Sequence, residues 1–298
     1  MSHTHAHSHA HPKNTSSNIL LISMLIILIY AAVEALTGWK ANSLALLGDA
    51  GHMVADALAL SIAAFAAWVA KKPISKKHSY GMGRAEVLAA WLSSLILLLI
   101  SLSIIVSAIK RIHNPTPVHG MWVMGVAFFG MLINLLVAGL LSKTEGNLNT
   151  RAALLHVLSD LLGSFAALAA GTVVYFTGWF PIDPILSIVI SILIVASSFR
   201  ILRESLHILM EGVPAHIDFE SVSDALSTID EVLKIHDLHI WTLSSGSVAL
   251  SAHVNIHEIS DWENCLKKLT RMIEHRFHIH HITLQPEPDI FDCKPCKK

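Results

Sequence analysis

His52-Met53-Val54-Ala55-Asp56 and His156-Val157-Leu158-Ser159-Asp160 decide the reading of this chain. The same His-x-x-x-Asp spacing occurs twice, each time inside an apolar stretch long enough to span a membrane. On a helix, positions i and i+4 share one face, one turn apart. Each segment therefore sets an imidazole beside a carboxylate. Ionisable groups are costly in hydrocarbon, so each is a functional candidate there. If the two helices pack face to face, two nitrogens and two oxygens converge in a tetrahedral set suited to zinc. The plainer reading, two His–Asp hydrogen bonds that merely join helices, loses ground because the identical pair is repeated.

Outward from these motifs, six apolar segments are predicted as membrane helices: 19–38, 43–70, 85–109, 120–142, 152–177 and 182–203. Each reaches the ~20 residues that a span needs. Breakers separate them at Lys72-Pro73, Asn114-Pro115-Thr116-Pro117 and Thr177-Gly178-Trp179-Phe180-Pro181. Only 14% of the chain is charged, against about 25% in ordinary soluble domains. The apolar excess lies in 19–205, and the rest reads as soluble. The expected organisation is a disordered His-rich tail over 1–18, a six-helix transmembrane domain over 19–205, and a cytosolic metal-binding and dimerisation domain over 206–298. The tail carries His3, His5, His7, His9 and His11, and reads as a metal-capturing tract or a plain polar tail rather than a signal peptide.

Basic residues set the orientation. With the N-terminus in the cytosol, Lys13, Lys71, Lys72, Lys76, Lys77, Arg84, Lys143, Arg151, Arg200 and Arg203 fall inside, ten against the three outside, Lys40, Lys110 and Arg111. Both termini are then cytosolic, in the inner membrane if the cell is bacterial. The net charge of −1 says nothing about nucleic acid, and no basic patch with interleaved aromatics appears, so no nucleic-acid partner is expected.

Beyond 206 the periodicity changes. Asp218 is predicted to cap a helix over 219–229. Strands are expected over 235–243 and 248–256, joined at Ser244-Ser245-Gly246-Ser247. Ser260-Asp261-Trp262-Glu263 reads as a capping box opening a helix, and a last strand covers 281–287. An αββαβ order with one covered sheet face implies a small ferredoxin-like α+β domain.

The paired motifs also carry coupling chemistry. Metal binds neutral imidazole and ionised carboxylate, so zinc and protons compete for the same side chains. Free imidazole titrates at about pH 6.5. Asp49, one turn before His52, is a candidate for orienting that ring or a polar residue at the outer mouth. Glu34 and Asn134 read as helix-packing or pathway residues.

The two motifs, with the contexts Ser43 to His52 and Asn149 to His156, resemble the cation diffusion facilitator family in its zinc-exporting branch. Gly178-Trp179 to Pro184 and His236-Asp237-Leu238-His239-Ile240-Trp241 extend the likeness over nearly the whole chain. The resemblance implies a homodimer, zinc/proton antiport, and a cytosolic domain that helps dimerisation. It implies that His52, rather than Asp, goes with zinc over cadmium. Departures are Met82 in His78-Ser79-Tyr80-Gly81-Met82, where some relatives have a second histidine, and a 142–151 loop without histidine. His236, His253 and Glu287 match zinc-binding positions of the family's cytosolic domain, with Gln285 where some relatives have histidine. Cys293 and Cys296 resemble the C-terminal Cys-x-x-Cys of the animal branch. By strand parity His253 and Glu287 point off the core, whereas His236 shares parity with Leu238 and Ile240.

Three other classes fit less well. An intramembrane metalloenzyme needs an open metal position and a base, and no His-Glu-x-x-His occurs. A membrane-anchored sensor leaves the His–Asp pairs unexplained. A channel with a closed four-ligand site holds its ion too tightly for flow.

Overall fold

The computed structural model describes residues 15–142, 148–244 and 246–288; within its helices, the side chains of 15–24, 140–142, 148–156 and 159 lie outside that description. Six long helices come first: α1 (Thr15–Ala41), α2 (Leu44–Ala70), α3 (Arg84–His113), α4 (Gly120–Ser142), α5 (Leu148–Thr177) and α6 (Ile182–Leu209). Among the described residues, five stretches are long and apolar enough to cross a membrane: α2, α3, α6, Gly120–Gly139 of α4 and Asp160–Thr177 of α5. The helices overrun the apolar segments, as at the ends of α3 and α6. Backbone hydrogen bonding continues through Lys110-Arg111 and through Glu204, where hydropathy has already fallen.

Contacts divide the chain into two compact units. Among the described residues, those within 1–58 and 96–197 form the first, and those within 59–95 and 198–298 the second. In the first unit α4 packs against α5 and α1. Two glycines let α4 and α5 approach closely. A Cβ on Gly171 would come within 2.6 Å of the Met124 backbone nitrogen, and one on Gly120 within 2.8 Å of the Gly171 carbonyl oxygen. The start of α2 is held by Asp183, fully buried in the first turn of α6. Its carboxylate accepts from Ser43 Oγ at 2.6 Å and from the backbone N–H of Leu44 at 2.7 Å. Those donors have no partner within their own helix, and the positive helix end favours an anion.

In the second unit, α7 (Phe219–Ser227), β1 (Val232–Ser244), β2 (Ser247–Ile256), α8 (Trp262–Phe277) and β3 (His281–Pro288) follow in αββαβ order. The sheet order is β1-β2-β3. β1 and β2 form an antiparallel hairpin. β2 and β3 are parallel and need the α8 crossover between them. Asp218 caps α7 by accepting from the Ser221 N–H, and the Ser221 hydroxyl and N–H hold its carboxyl below the usual range. Val222, Leu226, Ile240, Leu250, Val254, Leu269 and Ile273 fill the core beneath the helices.

Two expectations are corrected here. The capping box at Ser260 does not form. Residues Ile259–Asp261 make a 3₁₀ turn, the Ser260 hydroxyl donates to Glu258, and Glu263 pairs with Lys267. Asp261 is the N-cap of α8, with no side-chain cap bond. The second concerns β1, whose parity reverses inside the strand. His236 pairs with His253 but His239 pairs with Ser251, so Asp237 and Leu238 oppose the single residue Ala252. This bulge moves His236 onto the face of His253 while Ile240 stays on the core side.

Candidate metal centres

In the first unit, α2 supplies His52 and Asp56 one turn apart, and α5 supplies Asp160. His52 Nε2 lies 3.3 Å from Asp56 Oδ2 and 3.9 Å from Asp160 Oδ1. One donor atom from each of the three residues lies within 4.8 Å of the others. Asp160 is buried, while His52 and Asp56 keep 20% and 15% side-chain exposure, leaving an approach to the cluster. Nitrogen and carboxylate oxygen donors in this number suit a divalent ion of borderline softness. His156 stands one turn before Asp160 on α5, and its side chain lies outside the described ones.

A second layer of buried polar groups adjoins this cluster. Asp49 accepts a long hydrogen bond, 3.4 Å, from Ser164 Oγ, which lies 3.3 Å from Asn134 Nδ2. The Glu34 carboxyl faces Asp49, and Tyr30 Oη sits 2.8 Å from Glu34 Oε1. Asp49, Glu34 and Asn134 are all buried, so Asp49 does not stand at an open mouth. A Cβ on Gly163 would fall 2.3 Å from Asp49 Oδ1; only glycine leaves room for this carboxylate against α5. The link between Glu34 and Asp49 was missed from sequence because they sit on different helices with no shared spacing.

The second unit holds another cluster, His236, His253 and Glu287. Glu287 places one oxygen on each ring: Oε2 lies 2.8 Å from His236 Nε2, and Oε1 lies 2.8 Å from His253 Nδ1. The rings meet edge-on with centroids 5.2 Å apart. Gln285 Nε2 donates to Glu287 Oε1 at 3.3 Å. Strand parity put Glu287 on an open face. It is instead buried, 3% exposed, because the two imidazoles and Gln285 cover it. A buried carboxylate gripped by two imidazoles is a donor set that fits zinc. Cys293 and Cys296 lie outside the described residues.

Apolar helices of spanning length that bring His52, Asp56 and Asp160 together, followed by a small α+β domain that gathers His236, His253 and Glu287, are the frame of a membrane protein with two candidate metal clusters. Residues 20–210 match the family described as the cation efflux transmembrane domain, and residues 214–289 match the cation efflux protein cytoplasmic domain. The chain belongs to the cation efflux family: it is an integral membrane transporter, not an enzyme. It is 40% identical over 295 residues to a Bacillus subtilis protein named cadmium, cobalt and zinc/H(+)-K(+) antiporter, covering 97% of this chain and 93% of that one. It is 39% identical over 278 residues to the zinc transporter ZitB of Yersinia pestis, covering 92% and 89%. It is 35% identical over 271 residues to the metal cation efflux system protein CzcD of Cupriavidus metallidurans, covering 90% and 84%.

Proposed function

We propose that this protein exports zinc, or a zinc-like divalent cation, from the cytosol in exchange for protons. The observation that carries the reading is the meeting of His52, Asp56 and Asp160 from two helices. His156 is assigned as the fourth donor, which closes a tetrahedral set of two nitrogens and two oxygens. Zinc requires the imidazoles neutral and the carboxylates ionised, and protons returning to those atoms release it. Alternating access of the cluster to the two faces turns this competition into exchange. The names of the relatives, zinc transporter and zinc/H(+)-K(+) antiporter, support the same reading.

In this reading all six long helices span the bilayer, and both termini face the cytosol. The division between transmembrane and cytosolic domains falls at about residue 205. The cytosolic part, ferredoxin-like in its αββαβ order, joins two copies into a homodimer. His236, His253 and Glu287 hold a structural or regulatory zinc there. Cys293 and Cys296 are assigned to a further cytosolic metal site, and Asp49 to orienting His52.

The test is zinc-driven proton flux in sealed proteoliposomes for the intact protein, Asp56→Ala and Asp160→Ala. Loss of flux in both variants, with folding and dimerisation retained, is the expected outcome. Flux surviving in both makes the paired motifs structural and refutes the reading.

A further inference from the structure

Asp237 is the residue that the β1 bulge inserts. Its φ of +50° lies in the left-handed region, which costs a non-glycine residue roughly 1 kcal/mol and persists only where its surroundings demand it. The bulge alone does not demand aspartate, since glycine occupies such a position without strain. The carboxylate points at two imidazoles. Oδ1 lies 3.2 Å from His239 Nε2, and Oδ2 lies 3.9 Å from His253 Nε2. The other nitrogen of His253, Nδ1, sits on Glu287. His253 therefore has a carboxylate facing each ring nitrogen, Glu287 at contact distance from Nδ1 and Asp237 at 3.9 Å from Nε2, beyond a hydrogen bond, and only the Glu287 side also faces His236.

We propose that Asp237 is the positioning residue of the cytosolic zinc site: it takes the Nε2–H of His253 and so fixes the tautomer that presents Nδ1 to the metal. The inference rests on the assignment of His236, His253 and Glu287 as a zinc site. An imidazole has one proton for two nitrogens when neutral, so the nitrogen that keeps it decides which one is free to bind. With Nδ1 given to a metal, the ring proton of His253 would reside on Nε2, the nitrogen that faces Asp237. Asp237 is the carboxylate facing that nitrogen, and its other partner, His239, is an exposed ring that would not oppose a closer approach. Such outer carboxylates orient the ligand and raise its basicity, and their removal costs about 10–100-fold in metal affinity. Asp237 has a second effect through the same bulge. The extra residue turns His236 onto the face of His253, so one position both aligns the strand and orients a ligand.

The experiment uses the full-length protein in detergent, with Asp160→Ala, Cys293→Ser and Cys296→Ser present throughout and His3, His5, His7, His9 and His11 replaced by alanine, which removes the other candidate zinc ligands. Zinc affinity is measured by competition with a chromophoric chelator. Asp237→Gly removes the carboxylate and keeps the left-handed backbone, so the fold does not suffer. The expected result is a loss of about 10–100-fold, largely restored by Asp237→Asn, whose amide oxygen accepts the same bond and which tolerates the same backbone. In a His253→Ala background, Asp237→Gly should change nothing further, because Asp237 acts through that ring. Unchanged affinity in Asp237→Gly while His253→Ala weakens binding overturns the inference and leaves the zinc site standing. Unchanged affinity in His253→Ala overturns both. A full loss in Asp237→Gly that persists undiminished in the His253→Ala background also overturns it, since the aspartate would then act on something other than that ring.

Discussion

Leu44 opens α2 with a backbone N–H that its own helix cannot satisfy, and the acceptor arrives from 139 residues away in Asp183. Ser43 adds its hydroxyl to the same carboxylate. Removing that acceptor leaves buried donors unpaired. Asp183→Ala should therefore lower stability by about 3 kcal/mol, and Asp183→Asn, which keeps one acceptor oxygen, by less. Thermal unfolding of the purified protein checks this; equal midpoints for Asp183→Ala and wild type would show that the cap is idle. Residues differ in how far they announce themselves. His52 and Asp56 were legible because their partnership is local, one helical turn. Asp183 and the Glu34–Asp49 contact were not, because the partners sit on different helices and no helical spacing connects them. Asp237 stood in view between two histidines, but its left-handed backbone is a property of the folded strand.

At the scale of elements, α4 and α5 cross where Gly120 and Gly171 remove the side chains that would hold them apart. Close backbone approach through small residues is how helices associate where lipid offers no hydrophobic gain. Gly171→Val sets a Cβ 2.6 Å from the Met124 backbone nitrogen and adds two further carbons at the crossing. It should cost about 1–3 kcal/mol or more, read as a lower unfolding midpoint and reduced yield of folded protein; a midpoint within a degree of wild type would show that the crossing has slack. The helices themselves were readable from apolar length, but their ends were not, since hydropathy marks where lipid would stop and hydrogen bonding continues beyond it. The strands were readable to within a few residues from alternation. Alternation failed at His236 for a specific reason: a bulge adds one residue, and every parity argument across it inverts. The capping-box pattern at Ser260 failed because a short 3₁₀ turn took up the residues that would have formed it.

At the scale of the whole molecule, the basic residues near the helix ends predict sidedness. Lys71, Lys72, Lys76 and Lys77 crowd the connection between α2 and α3, whereas Asn114 to Pro117, between α3 and α4, carries no lysine or arginine. The positive-inside rule places the first connection in the cytosol and the second outside. With Cys265, Cys293 and Cys296 first replaced by serine, an impermeant thiol reagent applied to intact cells should label Thr116→Cys at once and Lys76→Cys only after permeabilisation; the reverse pattern would invert the topology and turn export into import. The exposed apolar surfaces of α1 through α6, such as Phe65, Phe129, Leu162 and Leu193, are those that a bilayer covers. What the amino-acid order determined alone is what depends on near neighbours: apolar stretches of spanning length, paired ligands one turn apart, alternating strands, and the charge asymmetry across them. What only the tertiary structure decided depends on distant partners. It brought Asp160 to His52, set Asp183 on the start of α2, buried Glu287 between two imidazoles, and turned Asp237 toward His253. Local patterns arise from the fixed geometry of one helix or strand. Convergence between elements is settled by packing, which no short stretch of chain encodes.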